Sequence, residues 1–138
     1  MHDKTGIRWV RAIVAGVLTE ASVVLVFGTA VMVYRFTASP GEAAFQAFTD
    51  RVGTYVGVVG GAVAAFLFAL WVGRTIRADF LVNGFLVGCV AALLHIGVLA
   101  GAGAQWQTAY VIADALKLVG GALGGYVAQR RYTSGKSY

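Results

Sequence analysis

One stretch decides the fold class of this chain: residues 53–73, GTYVGVVGGAVAAFLFALWVG. It carries no charged residue and has the ~20-residue length that an α-helix needs to cross the hydrocarbon of a bilayer. Small residues recur in it every four positions, at Gly53, Gly57, Gly61, Ala65, Ala69 and Gly73. Such a stripe lets two helix backbones approach closely in lipid. The stretch therefore predicts a tightly packed membrane helix, whose partner is either another part of this chain or a second copy.

Four apolar segments of this kind divide the chain, at about residues 12–34, 52–73, 80–101 and 107–128. Hydrophobic residues make up 59% of the sequence and mean hydropathy is +0.76, against roughly 45–50% apolar residues in a soluble domain. A soluble domain this short could not bury so much apolar surface. Because period-two alternation is absent, a β-barrel is not expected. We predict an all-α integral membrane protein with a single four-helix domain, residues 1–138.

The distribution of Lys and Arg predicts the orientation of the helices. Eight basic residues fall on one side of the predicted membrane: Lys4, Arg8, Arg11, Arg74, Arg77, Arg130, Arg131 and Lys136. Arg35 and Arg51 fall on the other side, where Glu42 and Asp50 offset them. By the positive-inside rule the more basic side is cytoplasmic. We expect both termini in the cytoplasm and the protein in the cytoplasmic membrane of a prokaryote.

A short internal repeat favours two tandem helical hairpins. Residues 59–63, VGGAV, match residues 119–123, VGGAL. A duplication would make the second and fourth spans equivalent and give both hairpins the same orientation. The alternative is chance, since membrane helices reuse Val, Gly and Ala.

The loop between the first two spans, residues 37–51, carries a helix-start pattern. Ser39 can cap a helix, Pro40 suits the first helical position, and Glu42 suits a capping box. We predict a short helix in the outer interface. An ordered loop without a helix is the alternative.

Four ionisable residues lie inside the predicted spans: Glu20, His95, Asp114 and Lys117. Each shares a helix face with small residues, which places all four toward the interior of the bundle. The glycines on these faces are Gly16, Gly84, Gly88, Gly121 and Gly125. We expect these glycines to pack against neighbouring helices.

Depth in the membrane predicts which of these charges meet. At ~1.5 Å rise per residue, Glu20 and Lys117 lie near the midplane, and His95 and Asp114 lie about one turn toward the outside. We predict the pairs Glu20–Lys117 and His95–Asp114, joined through the fourth helix. Thr19 is a further hydrogen-bond donor at this depth.

Intramembrane charges cost at least ~2.5–3.5 kcal/mol each on insertion scales, so they indicate either function or structure. As a functional site, they form a proton or ion relay or a polar substrate site, with Glu20 binding the proton or cation and His95 as a second proton carrier. As a structural element, they form an ion-pair network that fixes helix register.

Catalytic motifs are absent, so we predict no enzyme, no cofactor and no metal. No HExxH, nucleophile elbow or Walker motif is present. His95 is the one histidine inside a span, which excludes a bis-His haem within one chain. A single axial histidine, or a pair from two copies, stays open. Cys89 is the one cysteine and cannot form an intrachain disulfide.

Two functions remain for a chain of this kind. The working interpretation is a non-catalytic subunit or scaffold that docks to itself or to a partner membrane protein. The alternative is a small oligomeric proton- or ion-coupled transporter that uses Glu20 and the His95, Asp114 and Lys117 cluster. One four-helix bundle encloses little volume, so the alternative requires a second copy. Nucleic acid is not an expected partner, because the basic residues follow the membrane boundaries.

Overall fold

The computed structural model describes residues 7–134, which form six helical segments. They are α1 (Trp9–Ala38), α2 (Glu42–Tyr55), a π-helical segment (Val56–Gly60), α3 (Gly61–Gly73), α4 (Phe80–Gly101) and α5 (Thr108–Ser134). Two residues of the orientation argument, Lys4 and Lys136, lie outside the described residues.

Within residues 7–134, four helices are long and apolar enough to cross a membrane: α1, the continuous helix Glu42–Gly73, α4 and α5. This confirms the predicted all-helical chain with four helices of membrane-spanning length. The predicted third span, 80–101, has the bounds of α4, whereas α1 and α5 run past the predicted spans to Ala38 and Ser134. Polar residues such as Arg35 and Gln129 end an apolar run but not a helix, because Arg and Gln are good helix formers.

The connection between α1 and α2 corrects the predicted helix start. Ser39 does not cap α2; it ends α1 in the left-handed conformation (φ 43°, ψ 50°), and Gly41 precedes α2. Pro40 follows the end of α1, where its missing N–H and fixed φ prevent the helix from continuing. The helix predicted in the 37–51 loop therefore begins at Glu42. It runs through the π-helical segment into α3 as one helix and is not a separate interfacial element.

The four long helices form a ring in which α3 and α4 each pack against both α1 and α5. Accordingly, α1 and α5 lie diagonally opposite each other. The basic end of the bundle is where α1 and α4 begin and α3 and α5 end; there the Arg8 amide donates a hydrogen bond to Asn83 Oδ1 (2.8 Å). The loop end is the other end, where the rings of Tyr34 and Phe48 stack with centroids 3.9 Å apart.

Burial divides the bundle into two halves. The buried residues of α1 end at Thr19 and those of α4 end at Ala92. The closed half, toward the basic end, comprises residues 9–19, 61–73, 80–92 and 117–134. The open half, toward the loop end, comprises residues 20–38, 42–60, 93–101 and 108–116. Among the described helices of the open half, α5 alone keeps buried residues, Ala113 and Asp114.

Contact between backbones closes the half toward the basic end. Gly84 of α4 and Gly121 of α5 lie so close that a Cβ on either would overlap the carbonyl oxygen of the other. Gly88 and Gly125 also face backbone atoms of the neighbouring helix. Only glycine fits at such an approach, and the short separation gives α4 and α5 many favourable van der Waals contacts.

Candidate functional site

All four ionisable side chains of the predicted spans meet at the boundary between the two halves. Asp114 Oδ1 lies 2.7 Å from His95 Nδ1 and 3.3 Å from Lys117 Nζ, and Lys117 Nζ lies 2.6 Å from Glu20 Oε1. The order His95–Asp114–Lys117–Glu20 forms a continuous network that crosses the bundle from α4 through α5 to α1. The network joins the two diagonal helices, α1 and α5.

Lys117 is the centre of the network and its most buried member. Its side chain is 1% exposed, whereas those of His95, Asp114 and Glu20 are 12–18% exposed. Two glycines leave room for it. A Cβ on Gly61 would lie 2.8 Å from Lys117 Cε, and Gly88 lies against the Lys117 backbone. The small-residue faces of α3 and α4 therefore hold the lysine in place between two carboxylates.

Asp114 accepts from both of its neighbours through a single oxygen. Lys117 follows it by three residues on α5, a spacing that places the two side chains on one helix surface. His95 approaches from α4, and because a carboxylate can only accept, Nδ1 is assigned the proton that it donates. The Tyr110 ring meets the His95 ring edge-on, with centroids 5.8 Å apart, and helps to orient the imidazole.

Glu20 has the least complete set of partners. Its Oε1 is buried and within ion-pair distance of Lys117 Nζ, but the approach angle is outside the range of a hydrogen bond. The hydroxyl of Thr19, expected to support the network, donates to the Ala15 carbonyl oxygen of its own helix instead (2.9 Å). Ser22 does the same to Leu18 (2.8 Å). A hydroxyl inside a helix in lipid finds its nearest acceptor four residues back.

The formal charges of the network do not cancel. Glu20 and Asp114 contribute two negative charges and Lys117 contributes one positive charge. With His95 neutral, one negative charge remains. A net charge is costly in a medium of low dielectric constant.

A cavity of about 590 Å³ leads from the loop end to the network. Glu20 and His95 border it at the inner end, and Thr49, Asp50 and Gln107 border it near the loop end. A cavity of this size, with polar side chains at both of its ends, has room for water molecules. Asp114 and Lys117 are not among its lining residues. Glu20 and His95 are therefore the two members of the network that border this cavity.

The second long helix is shaped around this cavity, which Gly53 and Gly57 border. A Cβ added to Gly57 would have no other atom within 4 Å, and one added to Gly53 would meet only the ring of Phe27 at ordinary contact distance. The predicted small-residue stripe thus makes room for the Lys117 side chain at Gly61 and leaves open space at Gly57, in its loop-end half. The π-helical segment (Val56–Gly60) begins at the same level. Single π-helical turns occur often at functional sites.

Some residues at the cavity were not among the predicted site residues. The sequence indicates for Asp50 only a charge that offsets Arg35 and Arg51, and it predicts no site role for Tyr110. Their sequence neighbourhoods carry no signal for a cavity, because the two residues meet it from different helices. Thr49, Asp50 and Gly53 share one face of a helix, and this spacing is the one indication of a polar helix face.

No metal site is present among the described residues, and no protein family is assigned to the chain. Across residues 7–134, no group of three His, Cys, Asp or Glu side chains is placed to hold a metal ion. Cys89 is a free thiol on α4, partly buried. Comparison with protein-family models, with curated proteins and with solved structures finds no match for this chain.

Proposed function

We propose that this chain is a small membrane transport protein in which Glu20 binds a proton or a small monovalent cation. One observation carries the proposal: a network in which two carboxylates share one lysine borders, through Glu20, a cavity of about 590 Å³. A network that only holds helices together does not require such a cavity, because access to water weakens the attraction within an ion pair.

Lys117 gives the proposed site two states. When Glu20 is ionised, the ammonium pairs with both carboxylates, at 2.6 Å to Glu20 and 3.3 Å to Asp114. When Glu20 takes up a proton or a cation, Lys117 remains paired with Asp114, and no buried charge is left alone. His95 holds Asp114 from the other side and can carry the next proton. Ion binding at Glu20 therefore changes the partners of a lysine at the centre of the bundle.

Transport also requires a path through the closed half. In this conformation the half toward the basic end is filled by backbone contacts such as that of Gly84 with Gly121. We infer that the path opens by a change of conformation or at an interface with a second copy, as expected for a cavity that ends at the network. The π-helical segment, which borders the cavity, is the natural place for such a change.

Ion flux through proteoliposomes tests the proposal. Vesicles that hold a pH-sensitive dye, or that take up radioactive sodium, are studied under an imposed membrane potential. We expect wild-type protein to pass one of these ions and Glu20→Gln to lose most of that flux. Glu42→Gln is the matched control, because it removes an exposed acidic residue of the loop end that does not border the cavity. Absence of both fluxes in wild-type vesicles would overturn the proposal.

The orientation belongs to the same proposal. The positive-inside rule places the basic end in the cytoplasm, with both termini there, and the cavity then opens to the outside. An impermeant thiol reagent added to whole cells should label single cysteines introduced at residues 40–48 and 102–105. Labelling of cysteines introduced at residues 74–78 from outside would contradict this orientation.

A scaffold or subunit role remains the second candidate, because one surface groove is suited to a partner in the membrane. It has a volume of about 390 Å³, lies between α1 and the π-helical segment, and is lined mainly by valines such as Val23, Val26 and Val59. A transmembrane helix of a partner or a second copy would fit an apolar groove of this kind. Native mass spectrometry of gently extracted protein distinguishes the two. A different protein at fixed stoichiometry favours the scaffold, and a homo-oligomer favours the transporter.

A further inference from the structure

A second hollow, at the basic end of the bundle, is lined by two arginines. It lies between the ends of α3 and α5, has a volume of about 200 Å³, and is bordered by Arg74 and Arg131 together with Leu70, Gly73, Ala128 and Tyr132. Both arginines are exposed. Within residues 7–134, neither guanidinium forms an ion pair with a carboxylate. Two guanidinium groups thus border one small concave surface.

The walls of the hollow are fixed by packing. Gly73 lies in contact with the side chain of Ala128, so α3 and α5 touch directly at its base. On one side, the Tyr132 ring rests against Phe80 with centroids 5.3 Å apart. The neighbouring Arg130 is turned away, since its guanidinium lies over the Tyr126 ring at 5.0 Å. Arg131 is therefore the arginine of α5 that faces the hollow.

We propose that this hollow binds the phosphate of an anionic phospholipid. The hollow lies where apolar helix surface meets the charged end of the bundle, with Leu70 on its apolar side and two guanidiniums on its polar side. Guanidinium groups bind phosphate through paired, charge-assisted hydrogen bonds. A phospholipid meets both sides at once, with its headgroup at the arginines and its acyl chains along Leu70 and the outer surface of α3.

The helix ends weaken this attraction without reversing it. Both α3 and α5 end at the hollow, and each helix C-terminus carries the equivalent of about half a negative charge. Two full positive charges on Arg74 and Arg131 exceed these two partial charges. A basic residue near a membrane surface attracts anionic lipid by about 1 kcal/mol, or roughly fivefold in affinity, before any direct hydrogen bond.

Lipid binding to the purified full-length protein tests the inference. The protein is prepared in a neutral detergent, phosphatidylglycerol or phosphatidylcholine is added, and bound lipid is counted by native mass spectrometry. We expect one phosphatidylglycerol to bind more tightly than the others and more tightly than phosphatidylcholine. The double variant Arg74→Gln with Arg131→Gln should lose at least about tenfold in that affinity, because the charge-assisted contacts are gone.

Arg77→Gln is the matched control, since Arg77 is exposed at the same end but does not border the hollow. Its affinity for phosphatidylglycerol should change by less than about twofold. An equal loss in this control would show a diffuse positive surface and overturn the site. Competition by millimolar inorganic phosphate would show an anion site without lipid preference and overturn the choice of ligand. Thermal unfolding of each variant checks that loss of binding does not reflect loss of fold.

Discussion

The two halves of the bundle contain similar small residues that have opposite consequences. In the closed half, Gly84 and Gly121 bring α4 and α5 into backbone contact. In the open half, Gly53 and Gly57 border a cavity that leads to the charged network. A small-residue stripe therefore indicates where backbones are able to approach, and the facing helix decides whether the space is filled. From Lys117 toward the basic end, α5 fills the space beside the stripe. From Lys117 toward the loop end, no helix among residues 7–134 fills it.

The charged network marks the level at which this change occurs, and the largest predicted effect lies there. Lys117→Met leaves Glu20 and Asp114 without their shared cation, so it should destabilise the fold by about 3–5 kcal/mol. The double variant Glu20→Gln with Lys117→Met should recover much of that loss, because Glu20 no longer carries a charge and Asp114 keeps its hydrogen bond from His95 Nδ1. Chemical denaturation in detergent measures both.

The single variant Glu20→Gln completes this double-mutant cycle. Direct contact between Glu20 and Lys117 predicts a coupling well above the ~0.5 kcal/mol expected of independent sites. Additive effects of the two substitutions would contradict the ion pair at 2.6 Å.

The next largest effect is a difference in stability between two variants. Each replaces one glycine by leucine, one in the closed half and one in the open half. Gly121→Leu should destabilise the bundle by about 3 kcal/mol, because its side chain would overlap the α4 backbone at Gly84. Gly57→Leu should leave stability within about 1 kcal/mol of wild type, because its side chain enters the cavity. Thermal unfolding of both variants in the same detergent is the measurement. Equal destabilisation at both positions would remove the distinction between a closed and an open half.

A smaller effect is expected where the network borders the cavity. His95→Phe keeps a ring against Tyr110 but removes the Nδ1 donor to Asp114. Since Asp114 retains Lys117, the loss of stability should be about 1.5 kcal/mol, as for one hydrogen bond to a charged group. A loss as large as that of Lys117→Met would show that His95 holds the carboxylate as strongly as Lys117 does, which would contradict this prediction.

Several features of the fold follow from local pattern alone. The bounds of α4 match an apolar run that ends at charged or flexible residues on both sides, and the composition predicts four long apolar helices. The role of Ser39 does not follow, because Ser, Pro and Glu in sequence suit a helix start as well as a helix stop. Which of the two applies depends on how far α1 continues, and an apolar pattern does not determine that.

Part of the candidate site also follows from the sequence, and part of it does not. Small-residue faces and depth suffice to bring Glu20 toward Lys117 and His95 toward Asp114, because a straight helix fixes both angle and height. No comparable pattern in the sequence predicts the cavity. It depends on Gly57 and Tyr110, which come from different helices and border the same space only once α1, α4 and α5 are arranged around it.

The central claim is that the open half is the aqueous approach to the network. The direct measurement uses single cysteines in a Cys89→Ser background and a small cationic thiol reagent applied to either side of oriented proteoliposomes. Gly57→Cys, in the open half, should react from the side of the loop end. Ala65→Cys, which is fully buried in the closed half, should not react from either side. Protection of Gly57→Cys from both sides, or equal reaction of Ala65→Cys, would contradict the account.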